Sequence, residues 1–282
     1  MSVEDLQFAR DAVARAIDRQ VRTFHDALVT VWRQLDRDLS RLVIEAAQGS
    51  QTAIIRASRA GRLKAEIDAA FDEAGWSPLV EVSTGTALVP LVADVNAVRL
   101  AAQIVAFTAE DSPRLAALQA LAGLDLLQEG DAIAHTLWKA TVQGVFSSRP
   151  ATAILDDLAT ELDEALPRVR TLYDTSISIF AREAESLGVP DDADRPFVYT
   201  GPSDEKVRPF CREHLGKVYT RAKIDALDNG QLPNVYLTGG GWNCRHGWTA
   251  VSKFSDLADL ANRNERVPAF SRGLDEGGSR AA

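Results

Sequence analysis

From Val3 to Gln48 the chain contains neither proline nor glycine, and a stretch of that length without a breaker has few ways to fold. Apolar side chains at Leu6, Val13, Ile17, Phe24, Leu28, Val31, Leu35, Leu39, Leu42 and Ala46 recur at three- and four-residue steps, the spacing that lines one face of an α-helix. Gly49 and Ser50 supply the stop. At about 1.5 Å per residue such a helix exceeds 60 Å, more than a compact domain of this size buries along its whole length. Part of its apolar face is therefore expected to pack on another chain; the competing reading is a helix lying across its own bundle.

Similar periodicity predicts further helices over residues 52–74, 93–108, 112–128, 131–145, 150–165 and 169–187, with 80–91 ambiguous. Asp111-Ser112-Pro113 and Ser148-Arg149-Pro150 are good start signals, since proline is tolerated in a first helical turn. Residues 1–189 hold 18 basic against 27 acidic side chains and 190–282 hold 13 of each, so the net charge of −9 lies in the first part. Glycine and proline number 13 before residue 190 and 16 in the last 93 residues. The texture changes there from helix to turns and short strands. The run 189–196 reads as a linker, 197–200, 217–220, 234–237 and 248–251 as strands, and 221–229 as one short helix ending at Gly230.

The expected fold is thus a mainly α N-terminal helical domain with a long first helix, residues 1–189, plus a small α+β C-terminal module, 190–270, and a loose tail, 271–282. With 46% apolar and 25% charged residues the chain is not of the disordered class. Its acidic balance excludes a global attraction for nucleic acid, leaving only regional contact with DNA. No run approaches the roughly 18 consecutive apolar residues of a membrane span, and the charged start lacks a signal peptide's apolar core.

Two cysteines are too few for a disulfide framework. Yet each has a histidine beside it: Cys211-Arg212-Glu213-His214 and Cys244-Arg245-His246. Thiolate and imidazole are preferred zinc ligands, and four complete a tetrahedral shell. Cys211, His214, Cys244 and His246 are therefore the candidate ligands of a structural zinc. The C-x-H half is the less usual spacing, and Gly247 with Gly239-Gly240-Gly241 is read as supplying the non-extended backbone it would need. A metal-free polar cluster and a Cys211 to Cys244 disulfide compete with this reading. So does catalysis, in which His214, Glu213, His246, Arg212 and Arg245 serve as base, acid and cation of a nuclease or toxin-like phosphate-handling enzyme. Histidines that ligate a metal cannot also shuttle protons, so the zinc and nuclease readings largely exclude each other. His25 and His135 are isolated and read as ordinary packing or surface. No Walker A loop, G-x-G-x-x-G, G-x-S-x-G or H-E-x-x-H is present.

Residues 208–252 resemble the C-terminal module of tailed-phage head morphogenesis proteins, the Mu F-like minor capsid family. The resemblance rests on Arg208-Pro209-Phe210-Cys211, His214 with Gly216-Lys217, Asp228-Asn229-Gly230-Gln231, and Gly239-Gly240-Gly241-Trp242-Asn243-Cys244-Arg245-His246. Upstream, Arg170-Thr171 and the helix they lead extend it to about residue 169, under a third of the chain. It implies a minor head protein in the virion of a phage or prophage, made in the bacterial cytoplasm, acting within an oligomeric assembly against the portal or inner shell. Related modules are fused to toxin-like nucleases, which keeps the enzymatic alternative in view.

Overall fold

The computed structural model describes residues 3–48, 53–190, 192, 194–252 and 266–267. Six helices come first: α1 (Val3–Gln48), α2 (Ala53–Glu73), α3 (Trp76–Thr84), α4 (Val89–Ala101), α5 (Ser112–Phe146) and α6 (Ala151–Ser186). They are followed by β1 (Pro196–Thr200), α7 (Pro209–His214), β2 (Val218–Thr220), α8 (Arg221–Asp225), α9 (Val235–Thr238) and β3 (Gly247–Ala250). The protein is mainly helical, with a long first helix and a small three-stranded antiparallel sheet near its C-terminal end.

Helix α1 follows the expected face closely. Nine of its ten apolar positions are buried, and only Leu42 is half-buried, with Val43 taking the core position beside it. Those positions are buried within this chain, as the reading of a helix lying across its own bundle expects, while Phe8 and Ile44 on the same helix are exposed. Its stop at Gly49 and Ser50 lies outside the described residues, as does the tail 271–282.

Two pairs of predicted helices are continuous. Residues 112–128 and 131–145 join in α5, and 150–165 and 169–187 join in α6, which carries Pro167 inside it. Gly130 in α5 is a packing glycine: a β-carbon there would stand 2.2 Å from Nε1 of the Trp76 indole. At the entry to α5, Thr108 and Asp111 form a capping box, with the Thr108 amide donating to Asp111 Oδ2 at 2.9 Å. The segment 80–91 resolves into the end of α3, a 3-10 turn and the start of α4. Trp76–Ala101 is apolar enough to cross a membrane by length and composition alone. It is interrupted by the turn Thr86–Leu88, and Trp76, Val80, Leu88, Leu91, Val95 and Val98 are buried as core residues.

The chain separates into two compact units. One comprises Val21–Thr86 and Leu121–Tyr173, the other Met1–Gln20, Ala87–Ala120 and Asp174–Ala282. The boundary thus runs across α1, α5 and α6. In the first, all-helical unit the Phe24 and Tyr173 rings stack at 4.0 Å, and Trp32 packs on Trp76 and Phe71 while its indole N–H donates to the Leu162 carbonyl at 3.0 Å.

The second unit holds the sheet, in the order β2-β1-β3. Phe197 faces Tyr219 on β2 and Ala250 on β3, and Tyr199 faces Trp248. Every residue of β1 is buried, as expected of a central strand. Phe197, Tyr199, Cys211, Tyr219, Ile224, Tyr236, Cys244 and Trp248 share one core. The predicted strand 234–237 is instead part of the short helix α9. Its β-branched and aromatic composition suits a strand, but Asn234 enters with φ 58° and Thr238 closes the turn by donating to the Asn234 carbonyl. The predicted helix over 221–229 ends at Asp225.

Candidate metal centre

Proline at the first position of α7 starts a short helix whose third residue, Cys211, points into the core. Cys244 arrives from the loop before β3, and the two sulfurs stand 3.7 Å apart as free thiols. No disulfide joins them. Nδ1 of His246 lies 3.9 Å from the Cys244 sulfur, and the ligand atoms of Cys211, Cys244 and His246 all fall within 4.8 Å of one another. These side chains, 2%, 4% and 3% exposed, could hold a metal ion.

The donor chemistry and spacing fit. Two sulfurs about 2.3 Å from a tetrahedral ion lie about 3.8 Å apart, and a sulfur and an imidazole nitrogen about 3.6 Å apart. A carbonyl can only accept, so Nε2 of His246, 2.9 Å from the Pro202 oxygen, carries the proton and donates it. In the neutral form that binds a metal, Nδ1 would then turn its lone pair toward the sulfurs, the usual orientation of a ligating histidine. Cys244 and His246 both turn to the cluster from the loop before β3. Arg245 turns to the other side, where its guanidinium makes a two-bond contact with Asp204 at 2.8 and 2.7 Å.

His214 is the expected ligand that does not join them. Its Nδ1 is 2.7 Å from the Tyr219 hydroxyl, and its ring packs 4.4 Å from that of Phe210. Three residues after Cys211 on α7, it is buried in the same core yet directed to β2. Burial holds its imidazole below its ordinary pKa. Away from the centre, His25 is half-buried and His135 is exposed with its ring 5.3 Å from Trp138.

The glycine run roofs the sulfurs. A β-carbon on Gly240 would meet the Cys211 sulfur at 2.4 Å and the Cys244 sulfur at 3.4 Å; one on Gly239 would meet Cys244 at 3.0 Å. Gly239 also takes a positive φ of 57°. With no side chain between, the Gly240 amide donates to the Cys244 sulfur at 3.1 Å. The other residues of the motif hold the roof down. Arg208 donates to the Gly240 carbonyl at 3.0 Å, Asn229 to the Gly239 carbonyl at 2.9 Å, and Gln231 Oε1 accepts from the Trp242 amide at 3.0 Å.

Two arginines and a tyrosine belong to the site without having been evident in the sequence. Arg182 on α6, 7% exposed, donates to the carbonyls of Cys244, His246 and Leu237, the latter two at 2.8 and 2.7 Å. Arg10 on α1 pairs with Glu185 and donates to Thr200 and Thr249 at 3.1 and 2.6 Å, locking β1 and β3. The Tyr199 hydroxyl sits 3.4 Å from the Cys211 sulfur and 3.6 Å from that of Cys244. The thiol bond from Cys211, with help from His246 and the Arg182 charge, holds Cys244 well below the usual thiol range against burial. That same bond, followed by burial, pushes Cys211 up. Burial above all, then the two sulfurs, raises the Tyr199 hydroxyl. In arginine-rich amphipathic helices a guanidinium reads as solvated, so neither Arg10 nor Arg182 gives a signal in the sequence.

Compared with family models, with curated proteins and with solved structures, the chain gives no match.

Proposed function

We propose that this chain is a structural minor head protein of a tailed phage or prophage, acting in an oligomeric assembly against the portal or inner shell, with a C-terminal module clasped by zinc. One observation carries the reading. Eight of the residues on which the resemblance rests, Arg208, Cys211, Asn229, Gln231, Gly239, Gly240, Cys244 and His246, are bonded or packed to one another around a single buried cluster, while His214, another of them, turns to Tyr219. They are scattered over nearly forty residues of sequence, and a motif that closes on itself in this way is one whose members depend on each other.

Zinc is favoured among metals by the donor set, since two thiols and an imidazole are soft to borderline ligands that disfavour calcium or magnesium. An acidic helical region suits a protein that works beside packaged DNA without being captured by it. The nuclease alternative loses ground at the histidines. His214 and His246 are 6% and 3% exposed, and a general base must come within hydrogen-bond reach of its substrate. Nε2 of His246 is committed to Pro202 and Nδ1 of His214 to Tyr219.

The test is co-expression of the full chain with the portal protein of neighbouring genes, with metal quantified on the same sample. Retention of the chain by the portal and about one zinc per chain are expected. A portal that fails to retain the zinc-bearing chain overturns the head assignment. A chelator-free preparation without zinc overturns the metal.

A further inference from the structure

The three ligand atoms leave a fourth tetrahedral position to fill, and the expected occupant, His214, is turned away to Tyr219. What faces the sulfurs instead is an oxygen. Tyr199 projects from the central strand β1, is fully buried, and is bracketed by Trp248, 4.4 Å away, and the stacked ring of His246, 5.6 Å away. Among the described residues its hydroxyl has only the two sulfurs as hydrogen-bond partners, at 3.4 and 3.6 Å. A sulfur and an oxygen bound to one tetrahedral zinc lie about 3.5 Å apart. The triangle of Tyr199 oxygen and two sulfurs, with its 3.7 Å sulfur to sulfur edge, therefore has the dimensions of one face of a zinc tetrahedron.

We propose that the phenolate oxygen of Tyr199, in place of His214, is the fourth ligand of the metal held by Cys211, Cys244 and His246. The inference rests on the metal reading above and deepens it. Charge supports it independently. Arg182 is buried and, among the described residues, donates only to the carbonyls of Leu237, Cys244 and His246. Among the described residues no carboxylate forms an ion pair with it. A buried cation of this kind needs a compensating negative charge nearby. Two thiolates, one phenolate and a neutral imidazole around a divalent ion leave one net negative charge, which Arg182 matches; a neutral fourth ligand would leave none. On loading, the phenol gives its proton to solvent, as the thiols do, and its oxygen lone pair passes to the metal.

The experiment is a zinc titration of the full-length protein and of its Tyr199→Phe and His214→Gln variants, followed by near-ultraviolet difference absorption and by metal stoichiometry. In the parent protein, a tyrosinate difference band is expected to grow until about one zinc per chain is bound. Tyr199→Phe is expected to abolish the band and weaken zinc binding by more than the ~10- to 100-fold that loss of an outer partner costs. His214→Gln is expected to keep both band and affinity. Zinc bound at full stoichiometry by the parent protein without a tyrosinate band overturns the assignment of Tyr199 and leaves the metal reading standing. Failure of the parent protein to bind zinc overturns both. The parent titration decides the question even if a variant does not fold.

Discussion

A β-carbon on Gly240 would stand 2.4 Å from the sulfur of Cys211, so the middle residue of the glycine run cannot bear any side chain without moving a ligand. Gly240→Ala is expected to destabilise the sheet-bearing unit by about 1–3 kcal/mol, the usual cost of forcing atoms into a filled core, and to lower zinc uptake. Urea unfolding and metal analysis check it. Unchanged zinc content would mean that the roof is not needed for the site.

Arg182 satisfies three carbonyls at once. Replacing it by methionine keeps the apolar stem but leaves those acceptors without their donor, each at about 1–3 kcal/mol. Arg182→Met is therefore expected to cost at least about 3 kcal/mol in denaturant unfolding. Arg182→Lys is expected to recover only part of that, because an ammonium cannot reproduce a planar fork. Full recovery by lysine would show that charge alone matters there.

Burial keeps the His214 pKa below its value in an unfolded chain, with a definite consequence for pH. The unfolded state then binds a proton that the folded state refuses, so the contribution is fully present above the unfolded pKa, about 6.5, and is lost as pH falls through it toward the folded value. The urea midpoint is expected to fall between about pH 7.5 and 5.5, and His214→Gln to flatten that fall. An identical slope in the variant would assign the pH dependence to other groups.

Two helix glycines should respond to alanine in opposite ways. A β-carbon on Gly61 would meet nothing within 4 Å, whereas one on Gly130 would meet the Trp76 indole nitrogen at 2.2 Å. Gly61→Ala is expected to stabilise by about 0.5–1 kcal/mol through reduced backbone entropy of the unfolded chain. Gly130→Ala is expected to destabilise by about 1–3 kcal/mol through overpacking. Thermal unfolding of the two variants in parallel tests the packing of α5.

Nearly all the apolar positions expected to face inward on α1 are buried, because a helical period leaves little freedom in which face turns inward, while flanking residues such as Ala9, Ala14, Val21 and Trp32 widen the buried face beyond them. Cys211, Cys244 and His246 were legible for a different reason: rare residue types clustered twice in one chain carry information that common ones do not. His214 misled, since sequence proximity to Cys211 says nothing of which neighbour claims the ring, and Tyr219 claims it. Tyr199 was hidden among aromatic strand residues whose ordinary role is packing. The separate helices expected over 112–128 and 131–145 reflect Gly130, which reads as a break but serves the Trp76 contact. Residues 234–237 have strand composition and helical backbone because the positive φ at Asn234 redirects the chain.

Arg10 and Thr249 are joined by a hydrogen bond across 239 positions of sequence. A ribosome adds the hydroxyl partner only after every residue between them has been made, so the guanidinium on α1 must wait for the strand that completes its surroundings. Closure of the sheet-bearing unit thereby waits on β3, and chains cut short before that strand are left with a charged side chain whose intended burial site was never built.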